Sequence, residues 1–349
     1  MNGHRYIEVR PGELSLRNGV AAPLVPGWAR IAVDACGICG TDLHVFDGMT
    51  LQAGVSYPLR PGHEVAGVVT ELRPHDQHSP APEDHIRVGS PVALHPLLPC
   101  RTCLQCTSGA EHRCTSAQIL GFHVSGGMAD EVLWPIDRLV AVDGIPLEQA
   151  ALLPDAVATA YHAFIVARPP VGGGMCVIGA GGVGTHLLQI AAVMDPTLRL
   201  AAVVRSEQTA ERLREMGVTA IVGLDGATRA ARKALGTVDV AVEFSGATAA
   251  PRAGARMLRP GGRLVIGSVD DHALDIGLTT SAAMTRELEI VGTYSSTIDD
   301  MRAATRLVQS GAIDLSASAS LQFPLDDVPA AFRAVRDRPR GLVRAVVRP

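Results

Sequence analysis

Residues 175–191 read MCVIGAGGVGTHLLQIA, an apolar run that breaks into glycines and resumes at once as a second apolar run. The first part has the composition of a buried strand and the second that of a helix. The glycines between them occupy Gly179, Gly181, Gly182 and Gly184, with Val183 inside the turn. A GxGxxG is weak by itself, but directly after a strand and directly before a helix it predicts a dinucleotide-binding turn. Gly179 permits the tight turn and Gly181 lets backbone approach a pyrophosphate. Gly184 allows close packing of helix on strand, with the phosphates at the helix N-terminus. A purely structural glycine turn is the alternative.

Working outward from this turn, LAAVV, DVAVEFSG, GRLVIG and LEIVGTY follow as near-continuous apolar runs, separated by Ala-rich helical stretches such as TAERLREMG and APRAGARMLRP. That rhythm predicts strands buried on both faces of a parallel sheet. The run LAAVV ends in Val204-Arg205-Ser206 with no acid at its tip to hold ribose hydroxyls. Arg205 could instead pair with a 2′-phosphate, which favours NADP(H) over NAD(H), while Glu207 is compatible with NAD(H) and a surface arginine is also an ordinary solvated charge. Before Leu147 the chain changes character: IAVDA, HEVAGVV, SPVALHP and GMADEVLWP are short β-runs broken by Gly and Pro. LEQAALLPDAVATAYHAFIVA between the two halves is helical in period. The closing stretch, MRAATRLVQSGAIDL and then RAVVRP, leaves the alternating rhythm and is read as a return to the first half. The polar segment from His75 to His85 is expected to be a surface loop.

Inside the β-rich half, Cys100, Cys103, Cys106 and Cys114 fall within fifteen residues. Paired CxxC turns aim sulfurs at a common point, and four thiolates close a tetrahedral zinc site with no position left for water. Such a zinc holds structure and does no chemistry. Two disulfides are the alternative, disfavoured in a long chain whose cysteines are concentrated in one region.

The composition narrows the function. The opening MNGHRYIEVRPG has no apolar core of a secretory signal, and no stretch of 18 apolar residues occurs, so a cytoplasmic protein without a membrane span is expected. A net charge of −4 argues against nucleic acid as a partner. Of the 31 basic residues only Lys233 is a lysine, which removes Schiff-base chemistry and GxxxxGK phosphate loops from consideration. Two tryptophans, four tyrosines and six phenylalanines make a heavily aromatic pocket unexpected. Phe46, Met49, Leu51, Phe122 and Trp134 are candidates for its wall.

A second group of metal-ligand residue types lies upstream, in Cys36-Gly-Ile-Cys39-Gly-Thr41-Asp42-Leu-His44 and in Gly62-His63-Glu64. One cysteine and one histidine form a common half of a catalytic zinc site, which keeps its fourth position open. Asp155, in the otherwise apolar PDAVATAYHA, is a candidate third ligand; each of these residues also has an ordinary structural reading, as core thiol, satisfied histidine or helix-start acid.

The order CGICGTDLH, PGHE, the four-cysteine lobe, PDAVATAYHA and GAGGVG resembles the zinc-dependent medium-chain alcohol dehydrogenases over nearly the whole chain. The resemblance implies an α/β protein with a GroES-like, mostly β catalytic domain at 1–156, a zinc lobe at about 97–116, a doubly wound Rossmann domain at 157–291, and a C-terminal return at 292–349. It implies a catalytic zinc on Cys39, His63 and Asp155, the Asp version being similar to the secondary-alcohol branch, and one structural zinc on the lobe. Thr41 and His44 would carry the proton from the substrate oxygen by way of the cofactor ribose, Glu64 would stand beside the metal, and Thr159 would pack near the nicotinamide. Homodimers or homotetramers are implied, and the apolar edge strand LEIVGTYSS is compatible with that. The chain departs from the family pattern in the long polar segment TELRPHDQHSPAPEDHIRVGSPV and in the missing strand-tip acid. The expected activity is therefore interconversion of an alcohol, a secondary alcohol or polyol above all, with its carbonyl compound using NAD(P)(H). A zinc-independent reductase of activated double bonds and a non-enzymatic nucleotide-binding relative are the alternatives.

Overall fold

Every residue of the strand Gly174–Ile178 (β1) is buried, and the glycines after it turn the chain into the helix Gly182–Met194 (α1). Five further strands follow: β2 (Arg199–Val204), β3 (Thr219–Val222), β4 (Val240–Glu243), β5 (Arg263–Ile266) and β6 (Glu289–Gly292). All pair in parallel, in the order β3-β2-β1-β4-β5-β6. The order reverses between β1 and β4, the switch point outside whose carboxyl ends such sheets bind their ligands. Cys176, Ile178, Ala201, Val203, Ala241 and Leu264 pack from the sheet into a core that helices cover with Ala231, Leu235, Ala255 and Met257. One strand differs from expectation. β6 is largely exposed, because it is the sheet's edge and lacks a neighbour on one side among the described residues.

This computed structural model describes residues 4–48, 55–74, 86–269, 272–337 and 343–349. The segment 75–85, Met49 and Leu51 lie outside the described residues. The sheet just outlined belongs to the unit Thr159–Ser295, and Met1–Ala158 with Ser296–Pro349 form a second unit. In that second unit, strands run in the order Leu321–Pro324, Ala345–Arg348, Trp28–Ile38, Glu64–Arg73, Pro91–Leu94 and Leu139–Ala141, and Glu131–Pro135 also pairs with Trp28–Ile38. Apart from the first, the pairings are antiparallel. Ile31, Ile38, Val65, Leu94, Met128 and Trp134 fill its core.

The segment from Leu147 to Ala167 is not one helix. It divides into Leu147–Ala150, a π-helical turn Leu153–Val157 and the helix Ala158–Ala167. Pro154 has no N–H to continue the first ladder, and Val157 N–H reaches five residues back to Leu152 O at 3.1 Å. The wide turn carries Asp155. Among the described residues, no helix is long and apolar enough to cross a membrane.

Candidate active site

The strand Trp28–Ile38 ends where Cys39 caps the helix Gly40–Phe46. Its sulfur accepts the Thr41 N–H at 3.1 Å, and its own N–H donates to Asp42 Oδ2 at 2.9 Å, a reciprocal cap in which a thiol replaces the usual hydroxyl. Thr41 and His44, half-buried and three residues apart, lie on one side of this short helix.

His63 precedes the antiparallel partner strand, whose register places Glu64 opposite Gly37. Gly37 leaves room for that acid, since a Cβ there would stand 2.0 Å from Glu64 Oε2. Gly62, at φ +104, is equally constrained: a Cβ would meet Met128 N at 2.6 Å and Cys36 Sγ at 2.7 Å. His63 is thereby aimed inward. Its Nε2 lies 3.2 Å from Cys39 Sγ and 3.8 Å from Asp155 Oδ2, and its Nδ1 lies 3.6 Å from Asp42 Oδ1. Phe122 stacks on it at 5.2 Å between ring centres.

Two sets of ligand atoms share this imidazole, Cys39 with Asp42 and His63, and His63 with Glu64 and Asp155, each within 4.8 Å of one another. The expected triple of Cys39, His63 and Asp155 thus spans both sets, joined at Nε2. A tetrahedral zinc spaces its sulfur, nitrogen and oxygen ligands about 3.3–3.6 Å apart. The separations of 3.2 and 3.8 Å at Nε2 match that spacing, while Cys39 and Asp155 do not share one set within 4.8 Å. The electrostatics fit too. Burial opposes a charge on His63, yet Cys39, Asp42 and Asp155 outweigh it and raise its pKa well above the ordinary value. A field that holds a proton so firmly favours a divalent cation in the same place.

Two residues here were not singled out in the sequence. Asp42 places a carboxylate 3.6 Å from the far nitrogen of His63, an ion-pair approach longer than a hydrogen bond. Its signal was present as the acid three residues into a capped helix. Arg344 comes from just before the last strand, is 7% exposed, and places Nη2 3.0 Å from Glu64 Oε1 and 3.3 Å from Asp155 Oδ2. Burial raises Asp155, but His63 and Arg344 overcome it and hold the carboxyl well below the usual range. Glu64, fully buried, is pushed up to about 8 by burial with Asp155 adding to it, against Arg344 and His63. Arg344 therefore lets the buried Glu64 and the half-buried Asp155 stand side by side. Arg344→Met should lower the unfolding free energy by about 3–5 kcal/mol, read from urea melts, and Glu64→Gln added to it should recover part of the loss. An unchanged midpoint would show that the guanidinium contributes nothing.

In the lobe, all four sulfurs lie within 4.8 Å of one another, with Cys103 and Cys106 at 3.4 Å and Cys100 and Cys106 at 3.9 Å. Zinc in four thiolates spaces them about 3.8 Å apart. The cysteines are free thiols, not disulfides. The N–H and hydroxyl of Thr102 and the N–H of Cys103 draw the Cys100 thiol down to about 6, while burial and the Cys103 thiol push Cys106 up to about 12. Thiols this close ionise together only around a cation.

In the other unit, Gly179 (φ +95) turns the chain against Ser245, whose N would be 2.6 Å from a Cβ. Gly184 approaches Gly179 O so closely that a Cβ would stand 2.0 Å away, whereas a Cβ at Gly181 would meet no protein atom within 4 Å. Gly181 is kept small by nothing in the protein. It caps α1 without a side-chain hydrogen bond, and Gly182 and Val183 open the helix. Such a helix start is a cradle for phosphate. At the tip of β2, Val204 is buried and Arg205 exposed. The Ser206 hydroxyl is engaged as the next helix cap with Thr209, and Glu207 pairs with Arg214. Thr159 is buried in the first turn of Ala158–Ala167. Of the candidate wall residues, Phe122 touches His63, Trp134 is a core residue whose indole donates to His95 O, and Phe46 packs on Phe332.

Known families match both halves of the chain. Residues 25–144 match the alcohol dehydrogenase GroES-like domain, and residues 182–310 match the zinc-binding dehydrogenases. L-threonine 3-dehydrogenase of Bacillus velezensis is 27% identical over 322 residues, spanning 90% of this chain and 89% of its own. D-xylulose reductase A of Aspergillus oryzae is 28% identical over 311 residues, spanning 86% and 84%. A Sinorhizobium meliloti 1021 protein assigned to the zinc-binding dehydrogenases, solved bound to NADP, superposes with a TM-score of 0.86 at 25% identity over 100% of both chains. The chain belongs to the zinc-dependent medium-chain alcohol dehydrogenases and is an oxidoreductase of that family.

Proposed function

We propose that the protein interconverts a secondary alcohol or polyol with its ketone, using one catalytic zinc on Cys39, His63 and Asp155 and NADP(H) in preference to NAD(H). The observation that carries this is the buried imidazole of His63 with its Nε2 facing both the Cys39 sulfur and the Asp155 carboxylate. When bound, zinc supplies Lewis-acid polarisation of the substrate oxygen and the dinucleotide accepts or returns the hydride. The chain's own groups do the rest. Asp42 faces the His63 ring, and Glu64 waits beside the ligands under the charge of Arg344. The Thr41 hydroxyl donates and accepts at once, as a relay from the substrate oxygen requires, and His44 is the group to which the proton passes. Gly179, Gly181, Gly182, Val183 and Gly184 would receive the dinucleotide phosphates at the start of α1, and Thr159 would pack near the nicotinamide.

The lobe cysteines would hold a second, structural zinc, so metal analysis should find two per chain. Threonine carries a secondary hydroxyl and xylulose a ketone that reduction turns into one, and these names from two relatives support that substrate class. The exposed edge of β6 supports assembly into a dimer or tetramer. A zinc-independent reductase would have no use for the set of buried Cys39 and His63 with half-buried Asp155.

NADP(H) preference rests on Arg205, exposed at the tip of β2 with no acid beside it at Val204. One charge-assisted hydrogen bond to the 2′-phosphate, at about 1.5 kcal/mol, corresponds to roughly tenfold. With one accepted alcohol, kcat/KM for NADP+ should exceed that for NAD+ by about this factor, and Arg205→Ala should abolish the difference. A clear preference for NAD+ in the unaltered protein would overturn the assignment.

A further inference from the structure

The tip of β4 carries a carboxylate where its neighbours carry hydrocarbon. Glu243 lies in register with Ile178 of β1 on one side and Ile266 of β5 on the other, and it is 0% exposed. It makes no ion pair among the described residues. A buried carboxylate without a cation is costly unless several donors satisfy it. Here there are four. Oε1 accepts the Ser245 N–H at 2.6 Å, the Ser245 hydroxyl at 2.6 Å and the Gly246 N–H at 3.0 Å, and Oε2 accepts the Ser268 hydroxyl. The donors come from two different loops, one after β4 and one after β5. Ser245 in turn abuts the glycine turn, its N only 2.6 Å from where a Cβ of Gly179 would sit.

We propose that Glu243 is a positioning residue for the dinucleotide: its buried carboxylate ties the loops after β4 and β5 together and against the glycine turn, presetting the switch-point crevice. The proposal rests on the reading that this unit binds NAD(P)(H). Packing does not explain the residue, because isoleucine occupies the matching place on both neighbouring strands. Catalysis does not explain it either, since all four hydrogen bonds go to the protein's own loops. What the four bonds accomplish is order. A turn containing Gly246 at φ +65 is flexible by composition, and a ligand that had to fix two such loops on arrival would bind more weakly.

The test is titration of the purified zinc-loaded protein with NADPH and with NADH, followed by the fluorescence of the reduced nicotinamide, for three variants. Ser268→Ala removes one link and leaves the core untouched. Glu243→Gln keeps the volume and one acceptor oxygen, and its amide can donate to the Ser268 hydroxyl, so most of the pattern survives. Glu243→Ala orphans the donors. Dissociation constants should rise about threefold for Ser268→Ala, less for Glu243→Gln, and tenfold or more for Glu243→Ala. Zinc content should stay at the unaltered level, and the cofactor KM should rise while kcat at saturation is nearly kept, a split that general loss of structure would not produce. If Glu243→Ala does not fold, Ser268→Ala decides. Unaltered affinity in Ser268→Ala together with unaltered affinity in a folded Glu243→Ala overturns the proposal, and where Glu243→Ala is lost, unaltered affinity in Ser268→Ala overturns it alone. Failure of the unaltered protein to bind either dinucleotide would instead overturn the reading beneath it.

Discussion

Cys39→Ser should cost at least 100-fold in kcat/KM and lower the zinc content from two per chain toward one, with little change in the melting temperature. The fold survives for a specific reason. Cys39 is the N-cap of Gly40–Phe46, and serine is among the best N-cap residues, so its oxygen can take the Thr41 N–H that the sulfur now accepts. What serine cannot do is serve as a soft anionic ligand, because its hydroxyl stays protonated where a cysteine becomes thiolate. The substitution thus separates capping from metal binding at one atom. Turnover and metal analysis on the same preparation check it, and a variant with full turnover would sink the assignment of Cys39 to the catalytic metal.

Cys106→Ser in the lobe should do the reverse, lowering stability first and activity only through it. The lobe is tied to the rest of its unit by Glu111, which lies between Cys106 and Cys114. Glu111 Oε1 sits 2.7 Å from Arg138 Nη1 and accepts the Ile298 N–H at 3.2 Å. Arg138 is 6% exposed. If the lobe opens, that guanidinium loses its nearer carboxylate and keeps only Asp137 at 3.8 Å, a loss of about 3 kcal/mol. The corresponding fall in melting temperature is about 10 °C. Chelators that strip the lobe should give the same shift. Thermal melts read beside the specific activity of the fraction still folded distinguish the roles. Activity lost at an unchanged melting temperature would place the lobe in the chemistry.

The parts of the molecule that could be read in the sequence are those whose geometry is local. The glycine turn needs only the strand before it and the helix after it, and the lobe needs fifteen residues of chain. The alternation of apolar runs with helical stretches announced the parallel sheet, because strands covered on both faces have no polar side to interrupt them. Local reading failed where local periodicity was misleading. The segment 147–167 has one helical period but folds as three pieces, since Pro154 interrupts the ladder and the chain widens into a π turn around Asp155. The edge strand β6 is apolar like its neighbours, yet nothing in its own residues tells that no strand lies beyond it.

The amino-acid sequence by itself determined the class of the fold, the family, and the identities of the residues able to hold a metal or a dinucleotide, because these are encoded in types and short spacings. The tertiary structure alone decided how those residues face one another. The register of Gly37 with Glu64 brings Cys39 and His63 together, and the pairing of Ala345 with Ile38 delivers Arg344 to the same place across some three hundred residues of chain. The same holds for Glu243, whose four donors become neighbours only when β4 and β5 pair. Long-range strand register depends on the burial of whole faces rather than on any local signal, so the partners it creates cannot be read one residue at a time.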